Sequence, residues 1–294
     1  MAGTLYVCAT PIGNLEDITL RALLVLRTVD LIAAEDTRRT RKLLSHHGIS
    51  KPLVSYHEHN KAESAQKILS LVGAGRDVAL VTDAGVPGVS DPGSDLVREC
   101  VAQGVKVVPV PGPSAVTAAL SASGTGAAQF IFLGFLPRAK KALRQAIGEL
   151  AGFRWTIVFY EAPHRLVDTL SEMAPVLGER HICIAREMSK VHEEFFRGTV
   201  AEARDAFAER EVLGEITVVL EGLPRNGARQ SGRQGSEEQE GGGQNQATVD
   251  VGRQLRSLMD KGVSLAEAVQ TVSANTGVSR NAVYKIALDM RRNT

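Results

Sequence analysis

Cysteine is scarce in this 294-residue chain, and its three cysteines do not cluster. Cys8, Cys100 and Cys183 lie far apart, each in or beside an apolar run. There is no Cys-x-x-Cys pair, and no Cys/His grouping has the spacing of a zinc site. The sequence therefore argues against a disulfide scaffold and against a metal site. It predicts three buried thiols in a reducing compartment.

Long apolar runs and an excess of one charge are also missing. No stretch approaches the roughly 18 apolar residues of a membrane span, and the apolar run at 5–9 follows no basic segment typical of a signal peptide. The 34 Lys and Arg residues oppose 33 Asp and Glu residues, a net charge of +1. We expect a cytoplasmic protein without a membrane partner, in which any contact with nucleic acid depends on local basic patches.

The sequence lacks the common phosphate-binding loops. The closest approach to Gly-x-Gly-x-x-Gly, at 124–126, has no third glycine, and no Gly-x-x-x-x-Gly-Lys-Ser/Thr motif occurs. A dinucleotide-dependent oxidoreductase and a P-loop nucleotidase are therefore disfavoured.

Short apolar runs alternate with helix-periodic stretches in the first half of the chain. Strands are predicted at 5–9, 31–34, 78–82 and 105–110, and helices at 19–29, 94–103 and 114–123. This alternation indicates a parallel sheet covered on both faces.

The second half has a different pattern, indicating a second α/β domain with a mixed sheet. Strands are predicted at 130–135, 156–160, 181–185 and 216–220, with a further candidate at 195–199, and helices at 142–150 and 164–176. The predicted organisation is an N-terminal α/β domain at 1–123, a C-terminal α/β domain at 124–223, a flexible linker at 224–248 and a tail domain at 249–294.

The tail has the pattern of a helix-turn-helix unit. Ser264 and Glu267 form a capping box for a helix to about 274, followed by a turn at 275–277. A second helix, capped by Ser279, places four apolar residues on one face: Val283, Ile286, Ala287 and Met290. With seven Lys/Arg against four Asp/Glu, both nucleic-acid contact and a packing or dimerisation role stay open.

Three loops rich in Gly and Pro follow predicted parallel strands, at 10–15, 83–93 and 111–115. Ligands of parallel sheets bind outside the carboxyl ends of the strands, so these loops predict a pocket rimmed by backbone groups. Asp83 and Asp91 could face a cationic ligand there, or only cap turns.

Charged clusters at 160–165 and 185–194 also follow predicted strands, where catalytic groups are often displayed. The densest basic patches lie at 38–42 and 138–141. Both kinds of cluster can equally be solvated surface.

Six motifs in order, TPIGNL at 10–15, DAGVPGVSDPG at 83–93, PGPSA at 111–115, GFLPR at 134–138, YEAPHR at 160–165 and AREMSKVHEE at 185–194, closely resemble the ribosomal RNA small-subunit methyltransferase I family. That family belongs to the tetrapyrrole-methylase-type enzymes that use S-adenosyl-L-methionine (AdoMet). The likeness runs from about Thr4 to Gly222. Thr82 and Ser189 stand where Ser and Thr are common, and the segment at 224–248 is unusually long.

The resemblance implies an α/β fold of the tetrapyrrole-methylase type, with two α/β domains around an AdoMet cleft and a helical tail, in a homodimer. It implies 2′-O-methylation of a cytidine ribose in the decoding region of 16S rRNA, with the RNA carried in the small ribosomal subunit; free rRNA as the substrate stays open. Position by position, it implies AdoMet contacts at Pro11, Gly13, Asp83, Ala84, Gly85, Val86, Ser90, Asp91, Leu133, Gly134 and Ala162.

Methyl transfer to a ribose hydroxyl needs positioning and a proton acceptor rather than a metal. We consider Glu187 first, then Glu161, His164 and Lys190, as candidates for that acceptor. Glu187 could instead orient an arginine. Expected phosphate contacts are Arg38, Arg39, Arg41, Arg138, Lys140 and Arg165. Two alternatives are a tetrapyrrole or other small-molecule methyltransferase and a helix-turn-helix regulator that senses AdoMet without catalysis.

Overall fold

The computed structural model of the protein describes residues 2–223 and, towards the C-terminus, 251, 254–259, 263–276, 280, 283–284 and 286–287. The contacts of the chain divide it into two units, Met1–Ala228 and Arg229–Thr294. The predicted linker at 224–248 lies outside the described residues.

The first sheet is wholly parallel, in the strand order β3-β2-β4-β1-β5. Its strands are β1 (Thr4–Cys8), β2 (Leu31–Ala34), β3 (Leu53–Ser55), β4 (Val78–Val81) and β5 (Lys106–Val110). The helices of this part are α1 (Leu20–Thr28), α2 (Thr37–His46), α3 (Lys61–Gly73), α4 (Ser94–Ala102) and α5 (Ala115–Ser123). Pro109 lies in β5, an edge strand, where a missing N–H donor is tolerated.

Because side chains alternate between the two faces of these strands, the first sheet contributes residues to two hydrophobic cores. One face of the sheet, with Ile32 and Ala79, packs with residues of α1 and α2, and the other face, with Leu5 and Leu80, packs with α3 and α4. The parallel sheet covered on both faces is thus confirmed. All three cysteines are buried and free, as predicted, and burial raises the pKa of Cys8 to about 12.

The second sheet is mixed, as predicted, in the order β6-β7-β10-β8-β9 with only β6 and β7 parallel. Its strands are β6 (Phe130–Phe135), β7 (Thr156–Glu161), β8 (His181–Arg186), β9 (Glu194–Thr199) and β10 (Ile216–Leu220). Helices α6 (Lys140–Leu150), α7 (Leu166–Leu177) and α8 (Val200–Ala208) bury leucine, isoleucine and phenylalanine side chains on one face of this sheet.

Helix α5 covers the other face of the second sheet. Its buried residues Val116, Ala119 and Leu120 form one cluster with Val158 of β7 and Val219 of β10. The end of the first sheet's last βα unit therefore packs on the second sheet, which brings the loop before α5 to the place where the two sheets meet.

Four elements were missed by the sequence prediction: α2, β3, α3 and α8. The predicted start of a helix at 164 was also two residues early, because Pro163–Arg165 forms a 3-10 turn before α7. The remaining predicted elements of Met1–Ala228 agree with the structure to within two residues at each end.

The C-terminal unit contains the helix α9 (Leu265–Thr276). Ser264 Oγ accepts from Glu267 N at 3.4 Å and donates to Glu267 Oε2 at 2.7 Å, so the capping pair is present. The predicted turn was wrong at its start, because residues 275 and 276 are still helical. Val283, Ala287 and the α9 residues Ala268 and Val272 share one buried cluster; Ser279 and Met290 lie outside the described residues.

Candidate active site

The loops after β1 and β4 are joined to each other at the carboxyl edge of the first sheet. Thr10 N donates to Gly85 O at 2.8 Å, and Gly85 N donates to Thr10 O at 3.0 Å. Gly85 has a φ of 82°, which a residue with a Cβ adopts only with strain. The glycine at this position therefore permits the pairing that closes the floor of the site.

A cavity of about 400 Å³ lies beside these loops, and we call it the cleft cavity. The first sheet contributes Glu35 after β2 and residues of the loop 83–91, and the loop before α5 contributes Ser114. The second sheet contributes Phe135, Tyr160 and residues 214–217. The wall thus comes from both sheets, a placement typical of ligand sites in α/β proteins.

Seven of the predicted cofactor residues line the cleft cavity: Asp83, Ala84, Gly85, Val86, Ser90, Asp91 and Ala162. Pro11 and Gly13 line a neighbouring cavity of about 260 Å³, which shares Asp83, Ala84 and Glu215 with the first.

Leu133 and Gly134 are placed differently. The partly buried Leu133 packs against the core of the second sheet and is not among the residues that line the cleft cavity. Gly134 lies against Ser90, since a Cβ on it would be 3.0 Å from Ser90 Oγ.

The cleft cavity is acidic, with Glu35, Asp83, Asp91 and Glu215 in its wall. Burial raises the pKa of Asp91 to about 6, and the charges of Glu35, Asp83 and Glu215 act in the same direction. Burial also raises the pKa of Asp83, although Asp83 Oδ1 accepts from Asp36 N at 3.0 Å. A bound cation would offset this mutual repulsion.

Glu35 and Glu215 were missed from the sequence. Glu35 follows β2 directly, and its carboxylate accepts a hydrogen bond from Thr82 Oγ1 at 2.7 Å. Its position at the end of a parallel strand could have identified it from the sequence. Glu215 precedes β10, an antiparallel strand, so no strand-end rule applied to it.

Glu187, the first candidate for proton acceptor, is engaged elsewhere. Its Oε1 accepts from Lys190 Nζ and from Glu215 N, both at 2.8 Å. These two hydrogen bonds outweigh its desolvation and lower the pKa of Glu187. Lys190 also pairs with Glu215 at 3.1 Å, so both candidates belong to an ion-pair cluster that fixes the loop after β8.

Glu161 is buried, and both oxygens of its carboxylate accept hydrogen bonds. Oε2 accepts from Thr169 Oγ1 at 2.6 Å, and Oε1 accepts from Ala162 N at 2.8 Å and lies 3.5 Å from Arg165 Nη1. Arg165, a predicted phosphate contact, has a side chain only 16% exposed and donates to Pro137 O at 2.9 Å. These two residues hold the β6 and β7 ends together.

A larger cavity of about 610 Å³, which we call the α6–α7 cavity, adjoins the cleft cavity and shares Phe135 and Ala162 with it. Three predicted residues besides Arg165 line it: Arg138, Lys140 and His164. Lys140 pairs with Glu172 at 3.0 Å. Within the described chain, no hydrogen-bond or ion-pair partner contacts Arg138 or His164.

The predicted phosphate contacts on α2 also differ from one another in exposure and in partners. Arg38 is 86% exposed and pairs with Asp36 at 2.8 Å, whereas Arg39 lines the cleft cavity 3.5 Å from Asp83. Arg41 is exposed on the same helix. The expected phosphate contacts thus occupy two separate surfaces, one on α2 and one at the α6–α7 cavity.

The loops around Gly13 and Ser189 approach each other closely. Ser189 Oγ accepts from Asn14 N at 3.1 Å, and a Cβ on Gly13 would lie 2.7 Å from Met188 O. Among the described residues, the non-glycine residues with positive φ are Ser90, Glu187 and Ser189, all in these site loops. Such strained conformations concentrate at functional sites.

The part of the chain that the structure describes has no metal-binding cluster and no membrane-spanning helix. No group of three or more His, Cys, Asp and Glu residues there is arranged to hold a metal ion. In that same portion of the chain, no helix has the length and apolar character of a membrane span.

The chain matches known protein families over most of its length. Residues 4–204 match the family of Tetrapyrrole (Corrin/Porphyrin) Methylases, and residues 245–291 match the RsmI C-terminal HTH domain. The chain is 44% identical over 284 residues to a ribosomal RNA small subunit methyltransferase I of Halalkalibacterium halodurans, covering 97% of this chain and 94% of the relative.

Two further similarities agree with this one. The Thermotoga maritima protein named ribosomal RNA small subunit methyltransferase I is 52% identical over 220 residues, covering 75% of this chain and 99% of the relative. A crystal structure of diphthine synthase superposes with a TM-score of 0.59 at 15% identity, covering 74% of this chain and 90% of that one. The latter supports the fold alone. The predicted tetrapyrrole-methylase fold is confirmed.

Proposed function

The chain belongs to the ribosomal RNA small subunit methyltransferase I family, as its motifs predicted, and on that premise we propose that it uses AdoMet to methylate the ribose 2′-hydroxyl of a cytidine in the decoding region of 16S rRNA. The substrate is the small ribosomal subunit, and the enzyme acts in the cytoplasm as a homodimer. The observation that carries the proposal is the acidic cleft cavity, whose wall is built from loops of both sheets.

The residues present fit AdoMet by their chemistry. AdoMet has a sulfonium cation, an ammonium group and an adenine ring, and no phosphate. Carboxylates of Asp83 and Asp91 suit the cationic groups, and the apolar residues Ile12, Val86 and Ala115 in the same wall suit the adenine. AdoMet, when bound, supplies an electrophilic methyl group.

The protein's main task is then to position the ribose. Placing a nucleophile within about 3–3.5 Å of the reacting carbon can supply roughly 7–11 kcal/mol of the barrier. The ion-pair cluster of Glu187, Lys190 and Glu215 and the Glu161–Arg165 network fix the loops that form the walls. We assign these residues to positioning.

His164 is the best placed of the four candidates to accept the hydroxyl proton. Its exposed ring lines the α6–α7 cavity next to the shared wall at Ala162. Imidazole is the side chain most often used as a general base, and this ring is not engaged by other described residues. Glu161 and Glu187 already accept two or more hydrogen bonds each.

The test offers labelled AdoMet and three acceptors in parallel: small subunits lacking the modification, free 16S rRNA and a tetrapyrrole. Calorimetry measures AdoMet binding in the same preparations. Transfer to the subunit supports the proposal, and transfer to free rRNA alone supports the reaction but contradicts the subunit as its substrate. Transfer to the tetrapyrrole alone supports the small-molecule enzyme, and binding without any transfer supports the AdoMet-sensing regulator, whose DNA retention a gel shift then checks.

A further inference from the structure

Phe135 is unusually exposed to solvent for an aromatic residue. It ends β6 with 57% of its surface exposed, although phenylalanine is ordinarily buried. Its ring contacts the Tyr160 ring edge-on, with centroids 5.6 Å apart, and it lines both the cleft cavity and the α6–α7 cavity. An apolar ring is therefore presented at the junction of the two cavities.

The α6–α7 cavity beside this ring has the size for a nucleotide, and its wall contains three cationic side chains, Arg138, Lys140 and Arg165, against Asp168 and Glu172. Its volume of about 610 Å³ lies within the range of small-molecule sites. Arg138 follows Phe135 by three residues and lines the same cavity without a described ion-pair partner. An unpaired guanidinium beside an open aromatic ring suits a phosphate next to a base.

We propose that the α6–α7 cavity holds one nucleotide of single-stranded RNA, its base stacked on Phe135 and its phosphate beside Arg138. This inference rests on the proposed function. Unpaired RNA bases stack on aromatic side chains. A base on this ring puts its ribose at the wall that Phe135 and Ala162 share, where the cleft cavity begins. The nucleotide so held is the methylated one.

The chain offers a matched control. Trp155 is also exposed, at 48%, but it precedes β7, whereas Tyr160 and Glu161 of the site end that strand. The replacement of Trp155 by Ala therefore removes an exposed aromatic ring from the opposite end of the same strand.

The experiment measures single-turnover transfer from labelled AdoMet to unmodified small subunits, with AdoMet affinity measured separately. Phe135→Ala and Phe135→Leu should lower the rate constant at subsaturating subunit about 5- to 150-fold, the range expected for the loss of one stacked base. Phe135→Tyr and Phe135→Trp should stay within about threefold of wild type, and so should Trp155→Ala. Because Phe135 also lines the cleft cavity, the rate constants are compared at saturating AdoMet for each variant. A wild-type rate for Phe135→Ala or Phe135→Leu would overturn the proposal.

A second readout does not depend on catalysis. Trp155 is the chain's single tryptophan, so the double variant Trp155→Phe, Phe135→Trp carries one indole, in the cavity. A short single-stranded RNA containing cytidine should quench its emission saturably, and the same RNA should not quench Trp155 in the wild type. Absence of quenching would overturn the stacking proposal. If the RNA quenches the indole but the wild type transfers no methyl group, the result contradicts the proposed reaction and supports the nucleotide site.

Discussion

Replacing Asp91 with Asn should change how stability depends on pH. The carboxyl group is held at a pKa of about 6 by burial and by neighbouring carboxylates, against 3.8 as the ordinary value. Below pH 3.8 the group is protonated in both folded and unfolded chains and has no effect. Between pH 3.8 and about 6 the unfolded chain alone loses its proton, so stability falls as pH rises, and above about 6 the full cost is present.

The size of this effect follows from the pKa. At about 1.4 kcal/mol per pKa unit, the rise to about 6 corresponds to at most roughly 3 kcal/mol, and we expect about 1–2 kcal/mol because Asp91 is only partly buried. Because the unfolded chain is already mostly ionised at pH 4.5, about two-thirds of this effect falls between pH 4.5 and 7.5, and the free energy of unfolding of Asp91→Asn relative to wild type should increase by about 1 kcal/mol over this range.

The assay is urea unfolding of both proteins across this pH range. Asp95→Asn is the matched control, because a hydrogen bond from Lys61 lowers the pKa of Asp95. Its stability relative to wild type should stay nearly constant over this range, because a carboxyl group with a lowered pKa is ionised in the folded chain and mostly ionised in the unfolded chain above pH 4.5. A pH-independent difference between Asp91→Asn and wild type would refute the electrostatic reasoning.

The same titration predicts the pH dependence of cofactor binding. At pH 5 a group with a pKa of about 6 is mostly protonated, and at pH 7 it is mostly ionised. AdoMet affinity should therefore rise on the order of tenfold from pH 5 to 7 in the wild type. In Asp91→Asn this rise should be lost. Calorimetry at each pH measures both.

Three further changes test other parts of the account. Gly13→Ala puts a Cβ 2.6 Å from Lys190 Cγ and 2.7 Å from Met188 O, so it should cost about 1–3 kcal/mol in urea unfolding, whereas Gly148→Ala, in open space on α6, should be neutral or stabilising. Arg138→Ala should flatten the plot of log affinity for the small subunit against log salt by about one unit; an unchanged slope would remove Arg138 from the RNA contacts. His164→Asn should lower the saturated single-turnover rate about 10²–10⁴-fold, the range for loss of a general base, and Glu187→Gln should lower it much less; the reverse pattern would restore Glu187 as the proton acceptor.

Helices and strands were predicted correctly where hydrophobic periodicity was strong. The elements that the sequence prediction missed have physical explanations. β3 is a strand of three half-buried residues at a sheet edge, too short for a periodic signal. α2 opens with a polar, arginine-rich turn, and its buried apolar residues, Leu43 and Leu44, come only in its second half. α8 could have been found, because Thr199 and Glu202 form a capping box that is visible in the sequence.

The site was predictable where it depends on single loops and not where it depends on packing between sheets. The loop 83–91 lines the cleft cavity as expected, since parallel strand ends meet at one edge. Phe135, Tyr160 and Glu215 enter the wall only because the second sheet is placed against those loops. Arg165 looked like a surface cation, but it is mostly buried and bonded to main-chain carbonyls.

The central claim is the chemistry and position of methylation, and mapping the label tests it most directly. Small subunits lacking the modification are incubated with labelled AdoMet and the protein, and nuclease fragments of the 16S rRNA are mapped by mass. We expect label on one cytidine in the decoding region, on the ribose, with the 3′ phosphodiester made resistant to alkali. Label on a base, label spread over many nucleotides, or no label on RNA while AdoMet binds would contradict it.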